Sequence, residues 1–139
     1  MASFLTAAEL TARGFIVSTT SRNAIGADLL VTDQQCKRAW SVQVKTNGTP
    51  ANFWLLNTHA ERFNSESHVY VFVNLKGSSR PDYFVLPSAV VAANMYVETA
   101  KTGTVWYSFL KDKAMPFKEG WELFGDPGGS IDAASAAAV

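Results

Sequence analysis

Apolar and polar positions fall into short blocks along this chain, and the period changes from block to block. Residues 2–13 are rich in Ala and Leu, strong helix formers, with Phe4, Leu5, Ala8 and Ala12 at helical spacing. Gly14 supplies the stop. Residues 15–18 then read as a short strand, and the polar run 19–23 turns the chain. Residues 27–32 predict a second strand, 33–37 a tight connection, and 39–45 a third strand with clean alternation. Trp40, Val42 and Val44 share one face of it; Ser41, Gln43 and Lys45 share the other.

Asn47-Gly48 and Pro50 mark a turn and loop, after which 53–56 predicts a short strand and 58–64 a short helix. Residues 69–75 form a strand apolar enough to be buried on both faces. A loop over 77–81 leads to a hairpin partner at 83–86. Pro87 suits the first turn of a helix running to about Tyr96. A last strand is predicted at 105–110 and a last short helix at 117–124. Three strands, a helical crossover and a fourth strand argue for an α/β domain, a mixed β-sheet flanked by helices. The short connections suit an antiparallel meander, and the crossover suits a parallel pair.

The length, 139 residues, predicts one domain, taken here as residues 1–125. From Gly125 the composition turns to Gly, Ser and Ala, and 126–139 reads as a flexible C-terminal tail. Apolar residues at 47% and charged residues at 17% exclude a mostly disordered chain. Twelve basic residues balance twelve acidic ones, so bulk charge exerts no pull toward nucleic acid or an anionic membrane. A single cysteine, Cys36, excludes an internal disulfide and a zinc site of several thiolates, and points to a reducing, cytoplasmic setting. No stretch reaches the ~20 apolar residues of a membrane helix, and the N-terminus lacks the pattern of a secretory signal.

Candidate chemistry centres on Asp28, at the head of the second strand, and Gln43-Val44-Lys45, at the end of the third. If the two strands pair through the connection at 33–38, Asp28 comes near the Gln43–Lys45 end. Asp28 offers a hard anionic oxygen for Mg²⁺, Gln43 a side-chain carbonyl and Val44 a backbone carbonyl. Lys45 is placed to orient or activate an attacking water, or to stabilise charge in a transition state. Hydrolysis of a phosphodiester uses such a group.

These residues resemble the PD-(D/E)XK nuclease superfamily, with its restriction-endonuclease-like αβββαβ core. The resemblance rests on Glu9 in the first helix, the Asn23-Ala24-Ile25-Gly26-Ala27-Asp28 turn, and Gln43-Val44-Lys45. It covers roughly residues 2–76. The usual acidic residue of the third strand is Gln43 here, as in the Gln-X-Lys variant of Mrr-type restriction endonucleases. The resemblance implies Mg²⁺ or Mn²⁺ held by Asp28, Gln43 and Val44, catalysis by Asp28, Gln43 and Lys45 with Glu9 supporting through water, and DNA as substrate. Arg22, Lys76 and Arg80 are the candidate phosphate contacts.

Plainer roles stand beside these. Thr6-Ala7-Ala8-Glu9 has the spacing of a capping box. Asp28 could bond turn amides, and Gln43 and Lys45 could line a solvated sheet face. His59 and His68 lack metal-ligand spacing, and Trp54, Trp106 and Trp121 are expected to pack rather than stack on bases. The function expected is a Mg²⁺-dependent nuclease-like domain hydrolysing DNA. Double-strand cleavage would call for a homodimer, because a single domain carries one site. The alternative is a non-catalytic protein-interaction module on the same fold, within a phage-defence or toxin-related system.

Overall fold

A three-strand antiparallel meander opens the sheet in the computed structural model, which describes residues 2–21, 27–57 and 65–128. Helix α1 (Ala2–Ala12) leads into β1 (Ile16–Thr19), β2 (Leu29–Thr32) and β3 (Ala39–Asn47). Then come β4 (Phe53–Leu56), β5 (His68–Lys76), β6 (Ser79–Pro87), α2 (Ser88–Asn94), β7 (Tyr96–Thr99) and β8 (Val105–Leu110). A short helix α3 (Lys111–Ala114) and two 3-10 turns, Met115–Phe117 and Trp121–Phe124, close the described chain. The expected helix over 58–64, the turn over 23–26, Arg22, His59 and the tail from 129 onward lie outside the described residues.

The main sheet runs β1-β2-β3-β5-β6. β3 and β5 are parallel, and every other neighbouring pair is antiparallel, so the sheet is mixed as its segment order implied. β5 lies inside it and is buried on both faces from His68 to Asn74, which is why its sequence reads as an unbroken apolar run. One face carries Val31, Trp40, Val42, Val44, Val71 and Val73 against Leu10 of α1 and Trp121 and Phe124 of the C-terminal turn. The other face carries Tyr70, Phe72, Phe84 and Leu86.

What covers that second face departs from expectation. A three-stranded sheet, β4-β8-β7, lies there, and Trp54, Leu56 and Phe109 fill the space between the two sheets. Trp54 stacks on Phe72 with ring centroids 5.0 Å apart, and Phe72 stacks in turn on Phe109 at 5.3 Å. The helix expected to run to Tyr96 ends at Asn94, and Tyr96 begins β7. Val97 and Thr99, β-branched and unsuited to prolonging a helix, favour that exchange once β8 offers a partner strand.

One further expectation is corrected. The capping box fails because α1 starts at Ala2: Thr6 sits in the helix interior, fully buried, with its hydroxyl unpartnered. The buried stripe of α1 centres on Thr6 and Leu10, while Phe4 is exposed; alanines on every side of the helix leave its periodicity weak. Hydrogen bonds also reach residues just past 125. Arg38 donates to the carbonyls of Phe124 and Asp126, and the Gln34 backbone N–H donates to Pro127 O at 2.8 Å. Gly125 has φ 71, a left-handed conformation that side chains strain, and its bare backbone lets the Arg38 guanidinium approach closely.

Candidate metal and catalytic site

β2 stops where the site begins. Its last ladder pair is Leu29–Val42, and the Asp28 amide still donates to Val42 O at 2.7 Å. One step further the side chain of Asp28 replaces a backbone partner, and its Oδ2 accepts the Val44 amide at 2.8 Å. The Asp28 carboxylate is thereby held against β3 at Val44, close enough for its charge to act on Lys45, while Gln43 and Lys45 share one face of β3. The N–H and C=O of a strand residue share an edge, so the Val44 carbonyl also lies on the edge where β2 has ended.

Burial separates the three side chains. Gln43 is only 8% exposed, beside Tyr70 in the parallel register, so it does not line a solvated face. Its Oε1 is buried with no hydrogen-bond partner. A buried unpaired carbonyl of this kind costs roughly 1–3 kcal/mol. Lys45 is half-buried, and desolvation holds its ammonium below the usual lysine range, opposed by the Asp28 charge. The available donors are oxygens: one carboxylate, one amide carbonyl and one backbone carbonyl. Among the described residues no three His, Cys, Asp or Glu side chains converge on a metal position. An orphaned amide oxygen at Gln43 and a carboxylate held at Val44 are the oxygen donors a hard divalent cation takes, and Mg²⁺ in particular takes few protein ligands.

The remaining candidates go elsewhere. Glu9 belongs to the α1 side of the sheet, where it pairs with Arg80 and with Arg13 at 3.5 Å. The hydrogen bond from Arg80 holds its carboxyl below the usual range. Arg80 also grips Glu119 at 2.6 Å and lies over the Tyr83 ring. Lys76 pairs with Asp82 at 3.2 Å. Of the three expected phosphate contacts, the two described, Lys76 and Arg80, are therefore committed to carboxylates. His68 is buried edge-on to Tyr70. Trp54 and Trp121 pack as expected, but Trp106 is 53% exposed.

Sequence reasoning missed a pair of asparagines beside the site. Asn47 Nδ2 donates to Phe53 O at 2.8 Å and to Asn74 Oδ1 at 2.9 Å, and Asn74 Nδ2 donates to Ala51 O at 3.0 Å. They clamp the β3–β4 loop onto the end of the sheet. The available signal was Asn74, a lone polar residue inside an apolar run and fully buried in the fold.

No protein-family model matches the chain, and no curated protein sequence matches it. Among solved structures it is similar to Archaeoglobus fulgidus Hjc, a Holliday junction resolvase from an archaeal hyperthermophile, with a TM-score of 0.51 and 10% identity. The match covers 83% of this chain and 92% of that one. At that identity the likeness speaks to architecture: a restriction-endonuclease-like fold, a mixed sheet flanked by helices. No helix among the described residues is long and apolar enough to cross a membrane.

Proposed function

We propose that this protein is a Mg²⁺- or Mn²⁺-dependent nuclease that hydrolyses phosphodiester bonds of DNA, a Gln-X-Lys variant of the PD-(D/E)XK type. The observation that carries the reading is the buried, unpartnered Gln43 Oε1, next along β3 to Val44, whose amide holds the Asp28 carboxylate. Asp28, Gln43 and the Val44 carbonyl hold the cation, which when bound supplies Lewis-acid stabilisation of charge on the phosphate oxygens. The Val44 amide fixes the Asp28 carboxylate against β3. Lys45, partly desolvated, holds its proton less firmly than a free lysine and hydrogen-bonds the attacking water or the phosphate as charge builds. Glu9 is occupied by Arg80 and Arg13, so the reading gives it a role in joining α1 to β6.

Cleavage of single-stranded, duplex and branched DNA with added Mg²⁺ or Mn²⁺ tests this. Wild-type protein should cut, Asp28→Ala should lose both metal binding and cleavage, and Lys45→Ala should lose cleavage alone. A wild type that binds no Mn²⁺ refutes it. Cutting both strands of a duplex calls for two copies, and a homodimer is the arrangement expected of a duplex-cutting form.

One feature favours the alternative, a non-catalytic interaction module. The outer face of the small sheet exposes Phe53, Leu55, Tyr96, Trp106 and Leu110, and β7 is an exposed edge strand. Under that reading metal is irrelevant, and substitution of Asp28 leaves partner binding intact.

A further inference from the structure

Beside Lys45 the fold leaves a cleft of about 240 Å³ lined by Lys45, Thr46, Asn47, Phe53, Trp54 and Leu55. The floor is rigid. Trp54 is buried and donates its Nε1–H to Val73 O at 3.0 Å, and the Asn47–Asn74 clamp fixes the backbone of Phe53 and the loop before it. The rim is open and apolar, with Phe53 46% and Leu55 54% exposed. Lys45 is the only charged side chain in the lining, and among the described residues it enters no ion pair. A preformed cleft with an aromatic wall and one cation fits a flat ring carried on an anionic backbone. The volume lies below the roughly 300 Å³ at which sites for drug-sized ligands begin, and suits one ring system.

The charges elsewhere favour one physical form of that ligand. Duplex binding draws its affinity from Lys and Arg side chains free to neutralise phosphates. Here Lys76 and Lys118 both face Asp82, Arg80 is held by Glu9 and Glu119, and Arg38 faces Asp33. With these four committed to carboxylates, the exposed aromatic rim beside Lys45 favours stacking as the main source of affinity there, which needs a base outside the helix. We propose that the cleft between Lys45 and Phe53 receives an unstacked nucleobase, so that the strand presented to Asp28 and Gln43 is single-stranded at that point. The proposal rests on the nuclease reading for its substrate, and it adds the part of the substrate recognised and the residue that recognises it.

The probe is an oligothymidylate carrying one 2-aminopurine, free or annealed to its complement, titrated with the full chain in EDTA so that neither metal nor cleavage contributes. The single strand should bind, its fluorescence should be quenched as the ring stacks, and the duplex should bind more weakly. Phe53→Ala should weaken single-strand binding by about tenfold or more, the scale of one lost base–aromatic stack. Phe53→Tyr should restore it. Phe53 is half out of the fold, and unchanged circular dichroism and Tm confirm that each variant folds. Equal affinity for the duplex, or a Phe53→Ala variant that binds and quenches like wild type, overturns the proposal. So does Phe53→Ala dissolving a dimer while leaving oligonucleotide binding intact, which would make the face an interface between copies. A Mn²⁺ titration on the same variants separates the two ideas. Phe53→Ala should keep Mn²⁺ binding, and a wild type that binds the single strand but no Mn²⁺ loses the nuclease reading while keeping the base site.

Discussion

Replacing Gln43 by Met should make the metal-free protein more stable. Gln43 is 8% exposed and its Oε1 has no partner, so the folded state carries an unpaired acceptor. An unsatisfied buried polar group costs about 1–3 kcal/mol, and Met has nearly the length and volume of Gln without that group. We expect Gln43→Met to gain about 1–2 kcal/mol in EDTA, or about 3–8 °C in Tm for a chain of this size. With Mn²⁺ the order reverses. At a free concentration near one hundred times Kd, wild type gains about 2.7 kcal/mol from a ligand that binds only the folded state. The variant keeps Asp28 and the Val44 carbonyl but has lost one donor, so its gain should fall to less than half of that. The assay is thermal unfolding of both proteins in EDTA and across a Mn²⁺ series. A variant less stable than wild type in EDTA would show that the Gln43 amide supports the fold, and an undiminished Mn²⁺ increment would show that the metal is held elsewhere. Either result refutes the reasoning.

Other expectations follow from neighbouring contacts. Gln43→Glu should tighten Mn²⁺ binding in calorimetry, because it adds a carboxylate where an amide stands. Asp28→Asn keeps an acceptor for the Val44 amide and should lose less stability in urea unfolding than Asp28→Ala, which breaks a charge-assisted bond of about 1.5–3 kcal/mol; equal losses would deny that bond its role. The Arg80 hydrogen bond, first among its causes, holds the Glu9 carboxyl below the ordinary glutamate value of 4.5, so its contribution is present above that value and is lost as pH falls through the folded one. Arg80→Ala should therefore flatten the stability profile in this acid window while costing no more than about 1 kcal/mol at neutral pH, since Arg80 is 53% exposed. Ending the chain at Gly125 should lower Tm relative to ending it at Gly128, because it removes the carbonyls of Asp126 and Pro127 that Arg38 and Gln34 hold.

Much of the main sheet was legible before any coordinates, because its information is local. Alternation at Trp40–Lys45 assigns each residue a face, and the structure buries Trp40, Val42 and Val44 together on the α1 side. The unbroken apolar run in β5 reports burial on both faces, since a strand with one wet face would alternate. The closeness of Asp28 to Val44 and Lys45 follows from the pairing of β2 and β3 across a short connection, where register is set by few residues. Other features depend on residues far apart in sequence. β7 exists because β8 is there to pair with it, and four residues at Tyr96–Thr99 hold too little local preference to announce a strand. The unpaired state of Gln43 Oε1 is a statement about every surrounding atom, and no spacing rule contains it. The commitment of Glu9 and Arg80 to each other joins positions 71 residues apart. Local sequence set strand identity and facing through the two-residue period. Which charges were neutralised, which carbonyl was left without a partner, and where an open cleft remained were decided only when distant segments packed, because solvent exclusion and ion pairing are properties of the assembled neighbourhood.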